Sequence, residues 1–402
     1  MREGAPAAVV LSLFATGLGA VRSLAAGGVE VIGMDSDPSM PGFRSRHCAA
    51  ELCPDPVTEQ ELLVDHLRAR SATIPRGSVL FPASDAFVLF LSRYRDALSD
   101  HYRFALPEGQ VLEAIIDKRK QYDLADRAGI PYPPTFYPET MEDLERVTGE
   151  LAYPALVKPY VGHLWRAHFG GEHKGFKAAD EHELRAVFAE VLPAGIPAMV
   201  QSIVLGPNTN HYKLSAYVGR DGEPRALFGL RKIRQYPPEF GVGTLVESTD
   251  EPGVTDLGLR FLKAIGYRGI GSVEFKRDDR DGELKLIELN PRLWQQNSLA
   301  TACGLNFPML QYADLTGEPP VEPRPYETGV RWLDAIPDFQ SFRAQRKSLG
   351  QGWWDWLRSL TRVRAFTTFS FGDPLPYLHE NLWGLRYLRL PYYLLKQRRR
   401  AA

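Results

Sequence analysis

The sequence is short of cysteine, of long apolar runs and of net charge, and each shortage narrows what the chain can be. Three cysteines in 402 residues, Cys48, Cys53 and Cys303, are too few and too scattered for a disulfide framework or a four-ligand zinc site. A reducing compartment suits them, so the cytoplasm is the expected location. No stretch reaches the roughly 18 uninterrupted apolar residues that a membrane span needs. The first apolar run, residues 7–20, is interrupted by Gly17 and Gly19 and lacks the basic start of a secretion signal. Forty-eight Lys and Arg against 49 Asp and Glu leave a formal charge of -1, which argues against nucleic acid as a partner. Internal repeats, low-complexity stretches and a Gly-x4-Gly-Lys-Ser/Thr phosphate loop are also missing. What remains is a composition with 44% hydrophobic residues and enough length for two to three domains.

Residues 9–14 form a short run of strand formers, followed by Thr16-Gly17-Leu18-Gly19 and by Val21, Leu24 and Ala25 at helical spacing. A second run over 29–34 ends in Asp35-Ser36-Asp37-Pro38, so the order is strand, helix, strand. With a third strand at 78–82 and an amphipathic helix over 85–98, residues 1–106 are expected to form a small doubly wound α/β domain. The Gly-x-Gly turn with Asp35 beyond it is near a dinucleotide fingerprint, but Arg22 stands where a third glycine belongs. A tight strand-to-helix turn favours glycine by itself, so a purely structural turn is the preferred reading, with a substrate contact as the alternative. A helix is expected from 108 to Gly129, followed by extended chain at Ile130-Pro131-Tyr132-Pro133-Pro134.

The most informative stretch is a β-hairpin by composition, with residues 271–276 and 284–290 on either side of a polar turn. A connection centred on residue 281 sets Glu274 directly opposite Glu288. Two like charges so placed are destabilising unless something positive lies between them, and a divalent cation is the economical solution. Period-two alternation adds Asn290 to that face and puts apolar Leu286 on it as well. Carboxylates with an amide oxygen suit Mg²⁺ carrying nucleotide phosphates. The alternative is a solvated hairpin, which a one-residue slip of register would favour.

Upstream, Lys158 ends an apolar strand, a glycine-rich stretch over 162–175 carries several cations, and Lys118 sits in the helix before the Gly-Ile-Pro turn. Taken singly, each lysine is more often a solvated surface charge. Gln201 is the one amide in an apolar run that enters Gly206, a chain suited to a flat adenine slot. Arg231 and Lys232 precede a proline- and glycine-rich loop and suit an anionic substrate or a transferred phosphoryl group, unless they mark a basic strand edge.

The order of these elements resembles the ATP-grasp superfamily, and within it the carboxylate-amine ligases, over about residues 108–315. The resemblance implies a pre-ATP-grasp α/β domain at 1–106, ATP-grasp subdomains at 107–195 and 196–328, and a C-terminal helical extension at 329–402. It implies ATP and Mg²⁺, with Mn²⁺ as a substitute. Lys118 and Lys158 match phosphate contacts, Gln201 the reader of the adenine amino group, Val204 the hinge whose backbone meets adenine, and Asn208 a ribose contact at which many members carry Glu. Gly171 and Lys174 fall in the phosphate flap, which departs from the commoner Gly-Gly-x-Gly form. Glu274, Glu288 and Asn290 match the magnesium ligands, and Arg292 the arginine that steadies an acyl phosphate. The implied reaction joins a carboxylate to an amine through that acyl phosphate, on an amino acid or amino-sugar-derived substrate. Rival readings stop at phosphoryl transfer or carboxylation, or make the chain a non-catalytic nucleotide binder. No serine or cysteine nucleophile is required, and Cys303 reads as a packed thiol.

Beyond residue 330 the chain carries Trp353, Trp354 and Trp356 and ends in a leucine- and aromatic-rich segment with a basic tail. A helix packed on the body is the leading reading. A peripheral contact with the anionic inner face of a membrane is the alternative. Small-molecule substrates are the expected partners, and a homodimer is compatible with all of this.

Overall fold

The computed structural model describes residues 4–160, 165, 168–169, 175–319 and 322–387, with side chains to residue 381. The chain forms two compact units, and neither is one continuous stretch. The first comprises 1–105, 292–334 and 362–402, and the second 106–291 and 335–361.

The first unit is built on β1 (Ala8–Leu11), β2 (Val31–Asp35), β3 (Ala49–Leu52), β4 (Ser78–Pro82) and β5 (Tyr102–Arg103), in the order β3-β2-β1-β4-β5. All neighbours are parallel. β1, β2 and β4 are buried along their whole length, which is why they read as nearly unbroken apolar runs. The glycine turn leads into the helix Ala15–Ala26, and its glycines answer to packing. A Cβ on Gly17 would lie 1.8 Å from the Ser12 carbonyl oxygen, and one on Gly19 would lie 2.5 Å from Asn297 Oδ1. Asp35 is equally occupied, accepting from the amides of Leu13 at 2.7 Å and Asp37 at 3.0 Å, so it braces the loop. The helix expected over 85–98 is broken at Tyr94 into Asp85–Arg93 and Arg95–Ser99.

Residues after 291 return to this unit. Asn297 donates to the Thr16 carbonyl at 2.9 Å and Asn306 to that of Ser23 at 2.8 Å, which seats the helices Asn297–Ala302 and Phe307–Thr316 against the first helix. Asp373 binds Arg22 at 3.0 Å and accepts from Ser45 Oγ at 2.7 Å, anchoring the later segment. The stretch 292–328, expected to continue the second ATP-grasp subdomain, thus clusters with the amino-terminal unit.

The second unit holds two antiparallel sheets. β6 (Thr135–Phe136), β7 (Ala155–Pro159), β8 (Phe176–Ala178) and β9 (Ala198–Ser202) are ordered β6-β9-β7-β8, around a core that includes Leu144, Val157, Phe188 and Val200. β10 (His211–Val218), β11 (Pro224–Tyr236), β12 (Val242–Ser248), β13 (Gly269–Arg277) and β14 (Leu284–Asn290) run in the order β14-β13-β10-β11-β12. One face of this second sheet buries Leu214, Val273, Phe275, Leu286 and Leu289 with Phe261 and Leu262 of the helix Pro252–Ala264. The pair β15 (Arg331–Leu333) and β16 (Val363–Phe366), parallel to each other, belongs to the first unit.

The helix expected over 108–129 is two, Gly109–Ile116 and Lys118–Arg127. Asp117 takes extended backbone between them, and its side chain accepts from the amides of Arg119 and Lys120, capping the second helix. Gln121 locks that helix to the sheet, donating to the Leu289 carbonyl at 3.1 Å and accepting from the Leu289 amide at 3.0 Å.

The carboxy-terminal region is not a separate extension. Its helices Ala335–Gln345 and Trp353–Ser359 belong to the second unit. Asp338, fully buried, is held there by both Nε and Nη2 of Arg234 at 2.9 Å, by Thr244 Oγ1 at 3.2 Å and by Trp356 Nε1 at 2.9 Å. The basic aromatic tail lies outside the described residues. Among the described residues no helix is long and apolar enough to cross a membrane.

Candidate active site

The site is assembled on the face of the β10–β14 sheet opposite its apolar core. Glu274 and Glu288 are directly paired across β13 and β14, and Asn290 pairs with Ser272, in the register that the hairpin arithmetic proposed. Toward the turn the register shifts, with Phe275 opposite Leu286, so Ile287 is an extra residue. This bulge reverses the alternation. Leu286, expected on the carboxylate face, is instead buried in the core beside Phe275.

β10 adds a third member to the row. Lys213 pairs directly with Glu274, and its Nζ lies 2.8 Å from Glu274 Oε1. His211, two residues earlier on the same face, places Nε2 at 2.8 Å from Glu274 Oε2. On the far side, Lys118 Nζ sits 3.1 Å from Glu288 Oε2, and the Asn290 amide donates to Glu288 Oε1 at 3.1 Å. Lys118 reaches Glu288 because the chain breaks at Asp117 and places it at the start of a helix locked to β14. His211 and Lys213 were missed in the sequence, where their only signal is a pair of polar residues at alternate positions opening an apolar strand.

These groups set each other's ionisation. Burial raises the pKa of Glu274, but Lys213, His211 and Lys232 outweigh it and hold the carboxyl well below its usual range. The Lys118 charge likewise holds Glu288 low, against burial and the like charge of Glu274. Burial works against the charge on Lys118, yet Glu288 keeps its pKa above the ordinary lysine value. Burial, then Lys232, pushes His211 down to about 4, so it is neutral at pH 7.

The other sheet contributes Lys158 and Gln201. Lys158 Nζ donates to Gln201 Oε1 at 2.6 Å, and Gln201 Nε2 donates to Thr135 Oγ1 at 2.6 Å. Lys158 is held by an amide oxygen, and burial and the nearby Lys118 charge lower its pKa to about 7. Both ends of Gln201, the expected adenine reader, are therefore engaged here. The carbonyl of Val204 accepts from Lys276 Nζ at 2.8 Å, and Asn208 opens a short helical turn, Asn208–Asn210.

Arg231 and Lys232 part company. Arg231 pairs with Tyr212 and with Glu247, so it sits on the opposite face of the sheet from Lys213 and binds Glu247 at 2.8 Å. Lys232, one residue on, shares the face of His211 and Lys213. The joint placement of both cations at an anion is thereby corrected, since neighbours in a strand point to opposite faces. Arg292 belongs to the first unit, where Asp85 accepts from its Nε at 2.6 Å. The flap residues Gly171 and Lys174 lie outside the described residues.

The donor set fits a hard divalent cation. Two ionised carboxylates and an amide oxygen share one face, and the Glu288 side chain is 34% exposed, so it can exchange partners. Among the described residues no group of three or more His, Cys, Asp or Glu forms a ready-made metal cage. Mg²⁺ takes one or two carboxylates and completes its shell with phosphate and water.

No protein-family model matches the chain. The chain is 25% identical over 288 residues to a D-aspartate ligase of Enterococcus faecium, a match covering 68% of this chain and 67% of that ligase. In fold it is similar to an N5-carboxyaminoimidazole ribonucleotide synthetase solved with ADP, at a TM-score of 0.63 and 14% identity, covering 87% of this chain and 88% of the other. It is also similar to an L-amino acid ligase of Bacillus licheniformis, at a TM-score of 0.59 and 18% identity, covering 80% and 76%. The parallel sheet and two antiparallel sheets give the chain the ATP-grasp fold of these neighbours. In fold the chain is similar to ATP-dependent ligases of the ATP-grasp type, and in sequence to the D-aspartate ligase of Enterococcus faecium.

Proposed function

We propose that this enzyme couples cleavage of ATP to ADP with the joining of a carboxylate and an amine, through an acyl phosphate, on an amino-acid substrate. The observation that carries the reading is the row of Glu274 and Glu288 between Lys213 and Lys118 on one sheet face. The D-aspartate ligase relative favours an amino acid as one substrate.

In this reading ATP lies between the β6–β9 sheet, within 107–195 and the strand that follows, and the β10–β14 sheet. Adenine enters the slot near Val204, where Gln201 exchanges a partner for the adenine amino group, and Asn208 meets the ribose. Lys118 and Lys158 hold the phosphates, and Gly171 and Lys174 close over them. Glu274, Glu288 and Asn290 would hold Mg²⁺, or Mn²⁺ in its place, which supplies positive charge at the phosphates when bound. Attack of a carboxylate oxygen on the γ-phosphate brings two anions together, so the work of the chain is positioning and charge compensation. Lys232, on the same face as His211 and Lys213, offsets the charge of the carboxylate. Arg292, two residues beyond Asn290, exchanges Asp85 for the acyl phosphate. The amine then displaces phosphate from the activated carbonyl and an amide forms. Buried, unbridged Cys53 and Cys303 agree with a cytoplasmic enzyme.

A second reading, carboxylation, is favoured by the resemblance to the carboxyaminoimidazole synthetase. An ADP-release screen of paired amino acids, D-aspartate included, against amines and bicarbonate, with mass spectrometry of products, separates the two. Amide formation with ADP supports the ligase. ADP release with bicarbonate alone and no amide overturns it.

A further inference from the structure

Across three adjacent strands and one helix the site carries charges in the order Lys213, Glu274, Glu288, Lys118, so each carboxylate has an ammonium against it before any divalent ion binds. We propose that Lys213 is a built-in counter-cation that limits this site to one divalent ion and narrows the three-residue set above: its ammonium fills the Glu274 side of the carboxylate pair, leaving Glu274 a neighbour of the ion, which binds with the nucleotide at Glu288 and Asn290. The inference rests on the ATP-dependent reading above.

Two observations set the ends of the row apart. At the Glu274 end, direct cross-strand register sets Lys213 opposite Glu274 on the same face, within easy reach of its ammonium. Both Glu274 oxygens already have partners, Lys213 on Oε1 and His211 on Oε2, each at 2.8 Å, and the carboxylate is only 10% exposed. A dication there would have to sit beside an ammonium with little solvent to screen the repulsion. At the other end Glu288 is 34% exposed and is held by the longer contacts to Lys118 and the Asn290 amide, both 3.1 Å. Lys118 comes from a separate helix, so it can turn from Glu288 to a phosphate without disturbing the sheet.

The test counts Mn²⁺ on the full chain at saturating non-hydrolysable ATP analogue, by paramagnetic resonance of the free ion, with analogue binding measured calorimetrically. The expected count is one Mn²⁺ per chain for the wild type and for Lys213→Arg, rising to two for Lys213→Met. Two ions on the wild type, or one on Lys213→Met, overturns the proposal while leaving the ATP reading in place. Absence of analogue binding by the wild type overturns both. If Lys213→Met does not fold, Lys213→Gln takes its place with the same expected count of two, and a count of one overturns the proposal.

Discussion

The second unit contains two clusters of buried charge built to opposite plans. Around Asp338 one anion meets a bidentate arginine, a hydroxyl and an indole N–H, and nothing is left over. Around Glu274 and Glu288 two anions stand side by side, one of them partly open to solvent, and a neighbouring lysine is deprived of charge by its surroundings. The first arrangement fastens helices to a sheet. The second holds like charges close only because an ammonium stands against each, where a polyanion and a cation can exchange with them, and such clusters of perturbed groups mark sites under functional demand.

Removing an acid should therefore have different consequences in the two places, in stability at one and in turnover at the other. Asp338→Ala leaves Arg234 buried without its anion and should cost about 3–5 kcal/mol by denaturant titration, with the affinity of the surviving fold for an ATP analogue unchanged. A loss below about 1 kcal/mol would break the comparison. Glu288→Gln should lower ADP release by about 100-fold or more, with a smaller loss of stability than Asp338→Ala, since it leaves Lys118 without its anion at a partly exposed site. Unimpaired turnover would remove Glu288 from the site. The finest effect is protonic. With Lys158 lowered to about 7, the amine is largely neutral at pH 8, and a phosphate chain beside it favours the charged form. Analogue binding at pH 8 should therefore take up close to about one proton per chain, falling away toward pH 6, where Lys158 already carries its charge. Calorimetry in two buffers of different ionisation enthalpy reads this, and Lys158→Met should abolish it.

Much of this was legible in the residues because it depends on local rules. The glycine turn and Asp35 announce a strand-to-helix connection, and a symmetric hairpin sets Glu274 against Glu288. Other features escaped because they depend on what lies across from a residue. The extra residue at Ile287 sends Leu286 into the core, and no composition signals it. Asp117 looks like one more polar residue in a long helix until its capping of the second helix is seen. His211 and Lys213 become site residues only when β13 is laid beside β10. The return of residues 292–334 to the first unit is set by Asn297 and Asn306, whose partners lie nearly 300 positions earlier in the chain.

The sequence by itself determined the order of the parts, the strand and turn chemistry, and the acids and lysines available to the site, because propensity and alternation act between near neighbours. Tertiary structure alone decided which face each charge occupies, which cation stands against which acid, and that Arg231 and Lys232 part. Those outcomes depend on register between strands distant in sequence, where a single inserted residue reverses every side chain beyond it.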